Sequence, residues 1–326
     1  MRSSSEAPSA GSHGAERVVA VVVTYNRQQL LRECLDGLAA QTRPPQAVVV
    51  IDNASTDASG RVAAQHPVVT ETIPLQRNVG GAGGFATGIA RALQVHGADW
   101  VWVMDDDTVP RPRALEALLR AADRARPVPS VLSSRAVWTD GRDHPMNRSR
   151  VRVGASPREK TQARALGARP IRTASYVSAL LRAEDVRRHG LPHADYFIWS
   201  DDFEHTGRLL RRGLGLQVDD SVVEHRTRLF GSAQASPGER FSLDVRNRLW
   251  ALLRTRSFTW WERVLYGGST VVGWIRLLRR EPDLLPLGGR GLRDALVRRP
   301  RPSWQVLAAD PEQAALIRAV DEAAGR

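Results

Sequence analysis

Two unbroken apolar runs, Val18-Val19-Ala20-Val21-Val22-Val23 and Ala47-Val48-Val49-Val50-Ile51, constrain the fold most. A half-exposed strand alternates apolar and polar side chains. A run without alternation therefore predicts a strand covered on both faces, as in the parallel sheet of an α/β protein. Between the runs, Leu30, Leu31, Cys34, Leu35 and Leu38 recur at helical spacing, and Pro44-Pro45 ends that helix. The order β-α-β favours a right-handed crossover and parallel strands. A third apolar stretch, Trp100-Val101-Trp102-Val103-Met104, runs directly into Asp105-Asp106-Asp107. The first two end in Thr24-Tyr25-Asn26-Arg27 and in Asp52-Asn53-Ala54-Ser55-Thr56-Asp57. Polar clusters at the carboxyl ends of such strands lie where open α/β sheets bind ligands.

Three adjacent carboxylates repel one another in a partly buried site and call for a cation. Hard divalent ions, Mn2+ or Mg2+, suit carboxylate oxygens and keep positions open for substrate phosphates. The competing reading is an acidic loop capping the helix that starts near Pro110-Arg111-Pro112. Asp52 at a strand end can pair with base or ribose hydroxyls, or can join Asn53, Ser55 and Asp57 in a turn and helix cap. The stretch from Asn78 to Gly88, with Gly80, Gly81, Gly83 and Gly84, predicts a glycine-rich turn opening a helix. Such a turn lets a sugar or diphosphate approach the helical amides closely. No G-x-G-x-x-G follows the first strand and no Lys-Ser/Thr follows the glycines, which argues against dinucleotide binding and NTP hydrolysis.

Formal net charge is +12, carried by arginine, since Lys160 is the only lysine. This favours anionic ligands or an acidic membrane surface; no aromatic-basic nucleic-acid module is present. Cys34 is the sole cysteine, in keeping with a reducing compartment. Residues 1–16 read as a Ser/Gly/Ala-rich disordered tail, and no apolar run has the length of a spanning helix. Residues 123–172 read as an irregular, arginine-rich excursion; there Asp140, Asp143 and His144 are expected on a surface loop rather than on a metal. A strand is expected over Ser175–Leu181. Phe197-Ile198-Trp199-Ser200-Asp201-Asp202 then places paired carboxylates behind an apolar lead-in, the setting that raises a carboxylate pKa for general-base work. A helix cap is the alternative, because Glu204, Arg208 and Leu209-Leu210 continue as a helix. Val222-Val223-Glu224-His225 is a short strand ending in a histidine. Arg246 and Arg248 are spaced to grip a diphosphate. Trp260, Trp261, Val264, Val271, Trp274 and Ile275 alternate with arginines in amphipathic helices, which suit a membrane interface or simple packing.

In order and spacing, Val21 to Arg27, Val50 to Asp57, Asn78-Val79-Gly80-Gly81 and Asp105-Asp106-Asp107 resemble the family 2 glycosyltransferases. The Asn78-to-Phe85 string resembles in particular the galactofuranosyltransferases that start bacterial cell-wall galactan. The resemblance implies a GT-A α/β fold, with a mostly parallel central sheet and a helical C-terminal extension. It implies a catalytic domain over 17–250, its nucleotide part near 17–120 and its acceptor part near 173–250, followed by the extension over 251–326. It implies an inverting, metal-dependent sugar transfer from a nucleotide sugar to a glycan or polyprenyl-diphosphate-linked acceptor. The implied donor is UDP-galactofuranose, with dTDP-rhamnose as the alternative. A nucleotidyltransferase or a non-catalytic sugar-nucleotide-binding module are the competing classes. In this reading Asp202 is the base, with Asp201 and Glu204 orienting acceptor and base. Asp105, Asp107 and His225 hold Mn2+ or Mg2+, His193 and His205 being weaker candidates. Thr24, Tyr25, Asn26, Arg27, Asp52, Asn53, Asp57, Asn78, Gly80, Gly81, Gly84 and Asp106 surround the donor. Trp199, Arg246 and Arg248 meet diphosphate or acceptor. The tyrosines expected around the Arg-Asn-Arg segment are absent here. The expected location is the cytoplasm, peripheral at the inner face of the membrane, with no nucleic-acid partner.

Overall fold

A computed structural model describes residues 16–145, 149–227, 230 and 237–326. The first run forms β1 (Val18–Thr24), followed by α1 (Gln28–Ala39), β2 (Ala47–Asp52), α2 (Ser59–Gln65) and β3 (Glu71–Pro74). Next come α3 (Gly80–Gln94), β4 (Trp100–Asp105), β5 (Thr108–Pro110), α4 (Ala114–Arg124), β6 (Val131–Val137) and β7 (Arg150–Val151). Then follow α5 (Pro157–Ala165), β8 (Ala168–Thr173), β9 (Ala179–Arg182), α6 (Ala183–His189), α7 (Asp201–Leu209) and β10 (Gly215–His225). The chain closes with α8 (Phe241–Leu253), α9 (Trp260–Arg280), α10 (Leu285–Val297), α11 (Ser303–Val306) and α12 (Pro311–Ala323).

One sheet runs β3-β2-β1-β4-β9-β6-β10-β8-β7, with β5 paired to β10. From β3 through β4 all neighbours are parallel. Beyond β4 the sheet is mixed, because β9 is antiparallel to both β4 and β6. Every residue of β1 and β2 is buried, as the unbroken runs require. Alternate β1 side chains feed two cores: Val19, Val21 and Val23 pack with α3, whereas Val18, Ala20 and Val22 pack with α1 and α4. Val306, Leu307, Ile317 and Val320 join the first of these cores, so α11 and α12 cover the sheet that carries the strand tips.

Four expectations change. The stretch 123–172 holds a central strand, β6, and a capped helix, α5. Ser133 and Ser134 interrupt the apolar pattern of β6, yet both are buried and bond the hydroxyls of Ser149, Ser178 and Ser221. The expected strand over Ser175–Leu181 starts only at Ala179. The glycines open a helix, as expected, but from within it rather than as a turn ahead of it: α3 begins at Gly80 itself. A Cβ at Gly84 or Gly88 would lie within 2.5 Å of Val23 or Val21 of β1, so these glycines let the helix sit flush on the sheet. Residues 1–15 of the expected tail lie outside the described residues, while the Glu16 carboxylate accepts from Trp100 Nε1 at 2.8 Å.

Candidate active site

β1, β2, β4 and β10 deliver their last residues to one sheet edge. The antiparallel pairing of β5 with β10 sets His225 opposite Thr108, one residue beyond the acidic triplet. Asp107 accepts the Arg226 amide through its backbone oxygen at 2.8 Å, and His225 Nε2 lies 3.1 Å from Asp107 Oδ1. One ligand atom each from Asp105, Asp107 and His225 falls within 4.8 Å of the others. Two carboxylates and one imidazole form an oxygen-rich set with a single nitrogen. It fits Mn2+ and, less selectively, Mg2+.

Electrostatics at this tip are those of crowded like charges. Burial and Asp107 push Asp105 up to about 7. Asp106 rises to about 6, chiefly by burial, although the Arg27 charge opposes it. Asp107 goes the other way: against burial, the hydrogen bond and charge of His225, with Arg27, hold it below the usual carboxylate range. His225 is correspondingly raised by Asp107 despite its burial. Arg27 provides the local counter-charge, its Nη1 lying 2.5 Å from Asp107 and 3.2 Å from Asp106.

The residues expected around the donor form a braced rim. Thr24 Oγ1 donates to Asp106 at 2.8 Å and the Tyr25 amide does so at 3.2 Å. Asn26, at φ 52°, accepts the Thr56 and Asp57 amides on its side-chain oxygen. Asp52 accepts the Ser55 amide, Asn53 the Val79 amide and Asn78 the Gly80 amide. Asp57 receives the Ser59 and Gln28 amides. These polar groups thus hold the three strand-end loops in register with one another. Tyr25 stays exposed, and a Cβ at Gly81 would meet only the Phe85 ring, at 4.0 Å.

The second acidic pair arrives on a strained loop. Phe197, Trp199 and Ser200 all have φ between 63° and 66°, a region costly for residues with a Cβ. Gly80, at φ 74°, packs so closely on this loop that a Cβ there would meet the Phe197 carbonyl oxygen at 2.0 Å. Burial raises Asp201 well above the carboxylate range, with Asp202 and then Asp105 adding to the rise. The charge of Asp105 thus contributes to the rise of Asp201. Asp202 is raised by burial, partly opposed by the Phe203 amide, the Ser175 hydroxyl and Arg248. Arg248 lies over the Phe203 ring, with its buried Nη1 unpartnered among the described residues.

Some expected residues stand elsewhere. Glu204 is 1% exposed and committed to Arg208 and to the Ser257 hydroxyl, which takes it out of an acceptor-orienting place. It braces α7, and against its burial the charge and hydrogen bond of Arg208, together with Arg326, hold it well below the usual carboxylate range. Arg246 stacks on Trp250 and donates to the Asp195 and Tyr196 carbonyl oxygens, so it supports the loop. His205 bonds the Tyr176 hydroxyl and the Gly190 carbonyl, and His193 stacks on Tyr196; neither joins the triad. Asp140 and Asp143 pair with Arg142 and Arg135 at the surface, as expected. His144 departs from the surface reading: it is 1% exposed, packs against His225 and is pulled down to about 4 by burial and then by His225. No periodicity around Arg142-Asp143-His144-Pro145 signals this, because the residues on either side of His144 are exposed or half-exposed.

The description Glycosyl transferase family 2 matches residues 19–190. The chain belongs to that family. Among curated relatives, galactofuranosyltransferase GlfT1 of Mycobacterium tuberculosis is 34% identical over 259 residues, spanning 73% of this chain and 82% of the relative. An N-acetylglucosaminyl-diphospho-decaprenol L-rhamnosyltransferase of the same organism is 30% identical over 32% of this chain and 36% of its own length. In three dimensions the family 2 chain is similar to S. aureus TarS 1–349 in complex with UDP-GlcNAc. That match has TM-score 0.60 and 16% identity, and covers 94% of this chain and 90% of TarS 1–349. GalNAc-T7 with UDP, GalNAc and Mn2+ aligns with TM-score 0.55 and 16% identity over 79% of this chain and 55% of that one. The family 2 enzyme thus has the GT-A fold: a mixed α/β sheet with a helical C-terminal part.

Proposed function

We propose that this family 2 glycosyltransferase transfers galactofuranose from UDP-galactofuranose, with inversion, to a polyprenyl-diphosphate-linked glycan. The observation that carries the reading is the clustering of Asp105, Asp107 and His225 at the sheet edge, with ligand atoms within 4.8 Å of one another, and the charge of Asp105 acts on Asp201 of the second acidic pair. Similarity to GlfT1 over most of both chains supports galactofuranose as the donor sugar, whereas the rhamnosyltransferase likeness covers a third of the chain.

Asp105, Asp107 and His225 would hold Mn2+ or Mg2+ against the donor diphosphate. Bound there, a divalent cation supplies Lewis-acid neutralisation of the departing charge. Thr24, Tyr25, Asn26, Arg27, Asp52, Asn53, Asp57 and Asp106 frame the nucleotide, and Asn78, Gly80, Gly81 and Gly84 shape the sugar pocket. Asp202 takes the proton of the acceptor hydroxyl as its oxygen attacks the anomeric carbon and the nucleoside diphosphate leaves from the opposite face. Burial makes that carboxylate a stronger base than a solvated one. Trp199 and Arg248 border the acceptor side. A single displacement needs one base, unlike the flanking carboxylates of a glycosidase.

We take 17–250 as the catalytic domain and 251–326 as an extension lying at a cytoplasmic membrane face. Among the described residues no helix is long and apolar enough to span a membrane. Trp260, Val264, Val271 and Ile275 of α9 and Leu285, Leu292 and Leu296 of α10 are nevertheless exposed, near Arg276, Arg279 and Arg280. That pattern suits the surface of an anionic bilayer.

Asp202→Asn tests the reaction. Retained UDP binding with transfer abolished supports it, and unchanged transfer removes Asp202 as the base. A panel of sugar nucleotides, including UDP-galactofuranose and dTDP-rhamnose, tests the donor.

A further inference from the structure

His144 is a buried polar side chain that the proposed reaction does not use, and it stands against the metal triad. It ends a short hairpin in which Val137 bridges Asp143 and the His144 amide donates to the Ala136 carbonyl at 2.9 Å. Its ring centroid lies 4.8 Å from that of His225, tilted by 53°. Its Nε2 is 3.1 Å from the Thr227 hydroxyl, and Trp138 of the same hairpin donates from Nε1 to the Thr227 carbonyl at 3.1 Å. On the opposite side the Arg226 amide reaches the Asp107 carbonyl oxygen. Residues 225–227 are thus clamped between the acidic strand tip and the hairpin.

A leucine or phenylalanine would fill this space without desolvating a polar ring, and burying an imidazole has a cost unless it is bonded. Here one ring nitrogen is bonded and the other, Nδ1, is buried without a partner among the described residues. What the imidazole adds over such a residue is the direction of its hydrogen bond to Thr227 and its ring face against His225. We propose that His144 is a positioning residue that fixes the ring plane of His225, so that the nitrogen facing Asp107 stays aimed at the cation position. Groups that orient a ligating histidine typically change metal affinity 10–100-fold when removed. The inference rests on the metal site proposed above.

The test is Mn2+ binding in the presence of UDP, followed by the loss of the free-ion electron paramagnetic resonance signal. It compares the unaltered protein, His144→Ala, His144→Phe and Asp107→Asn, each checked for a native circular dichroism spectrum. His144→Ala is expected to weaken Mn2+ about 10-fold or more. His144→Phe, which keeps a ring against His225, should recover part of that loss. If Asp107→Asn loses Mn2+ while His144→Ala binds like the unaltered protein, the positioning role is overturned. If Asp107→Asn also binds normally, the metal-site reading itself fails. Should His144→Ala misfold, Thr227→Val removes only the hydroxyl partner, and an unchanged Mn2+ affinity in that variant overturns the role.

Discussion

Asn247 holds the loop that presents the proposed base, and Asn247→Ala is the most informative single change. Its side chain is fully buried, and its Nδ2 reaches the carbonyl oxygens of Tyr196, Ile198 and Trp199 at 2.8, 2.8 and 3.0 Å. Arg246 Nε donates to the amide oxygen at 3.0 Å, which fixes the orientation of the amide. The bonded carbonyls flank three non-glycine residues of positive φ, Phe197, Trp199 and Ser200. At about 1–2 kcal/mol each, those conformations store about 3–6 kcal/mol that the surroundings must restrain. Removing the amide leaves buried carbonyl oxygens unpaired at about 1–3 kcal/mol per group. Because the Tyr196 carbonyl keeps Arg246, two are left unpaired, and if the loop keeps its shape urea unfolding should show a loss of about 2–6 kcal/mol. If the loop instead relaxes, stability falls less, but Asp201 and Asp202 move. A displacement near 1 Å lowers kcat on the order of 100-fold with little change in donor KM. Both measurements belong together. A loss below about 0.5 kcal/mol, the noise of an ordinary surface change, combined with an unaltered kcat, would refute the idea that this amide restrains the loop.

Three further outcomes follow from the geometry. Gly80→Ala should cost well over 1 kcal/mol and cripple transfer, since positive φ and the Phe197 carbonyl both oppose a Cβ; Gly81→Ala, which would make only an ordinary contact with the Phe85 ring at 4.0 Å, should leave urea stability level or slightly higher. Arg172→Met should cost about 3–5 kcal/mol, because it strands Glu262 in a buried ion pair whose N···O distance is 2.6 Å. Glu262 is held below its ordinary value by Arg172 despite burial. Its stabilising share is therefore present above an unfolded pKa of about 4.3 and lost as pH falls through the folded pKa, a slope that urea titrations of Arg172→Met should lack. Asp202 must be ionised to act yet is raised by burial, so the acid limb of kcat/KM should lie above the ordinary aspartate value of about 3.9. A limb at or below that value would argue for a different base.

What the sequence discloses and what it hides follow from the same physics. β1, β2 and β4 are legible because burial on both faces leaves no place for a polar residue, so the run is unbroken from start to tip. β6 is equally buried but illegible, because its serines satisfy one another through a cluster with Ser178 and Ser221. A hydroxyl paired inside the protein looks, in one dimension, like a hydroxyl in water. The glycines of α3 are read correctly as a close approach but assigned to the wrong partner: the backbone approaches Val21 and Val23, not only a ligand. Glu204 and Arg246 carry the charge expected of site residues, and only their partners, Arg208 and two loop carbonyls, show that they brace the site from behind. The metal triad shows the limit most plainly. Asp105 and Asp107 are local and visible as a motif, whereas His225 joins them solely through the register of β5 on β10. Spacing along the chain carries no trace of that register, so before the fold was known only resemblance to other chains pointed to His225. His144 has no such help, and it lies one step further out, behind His225, where only the packed structure reveals it.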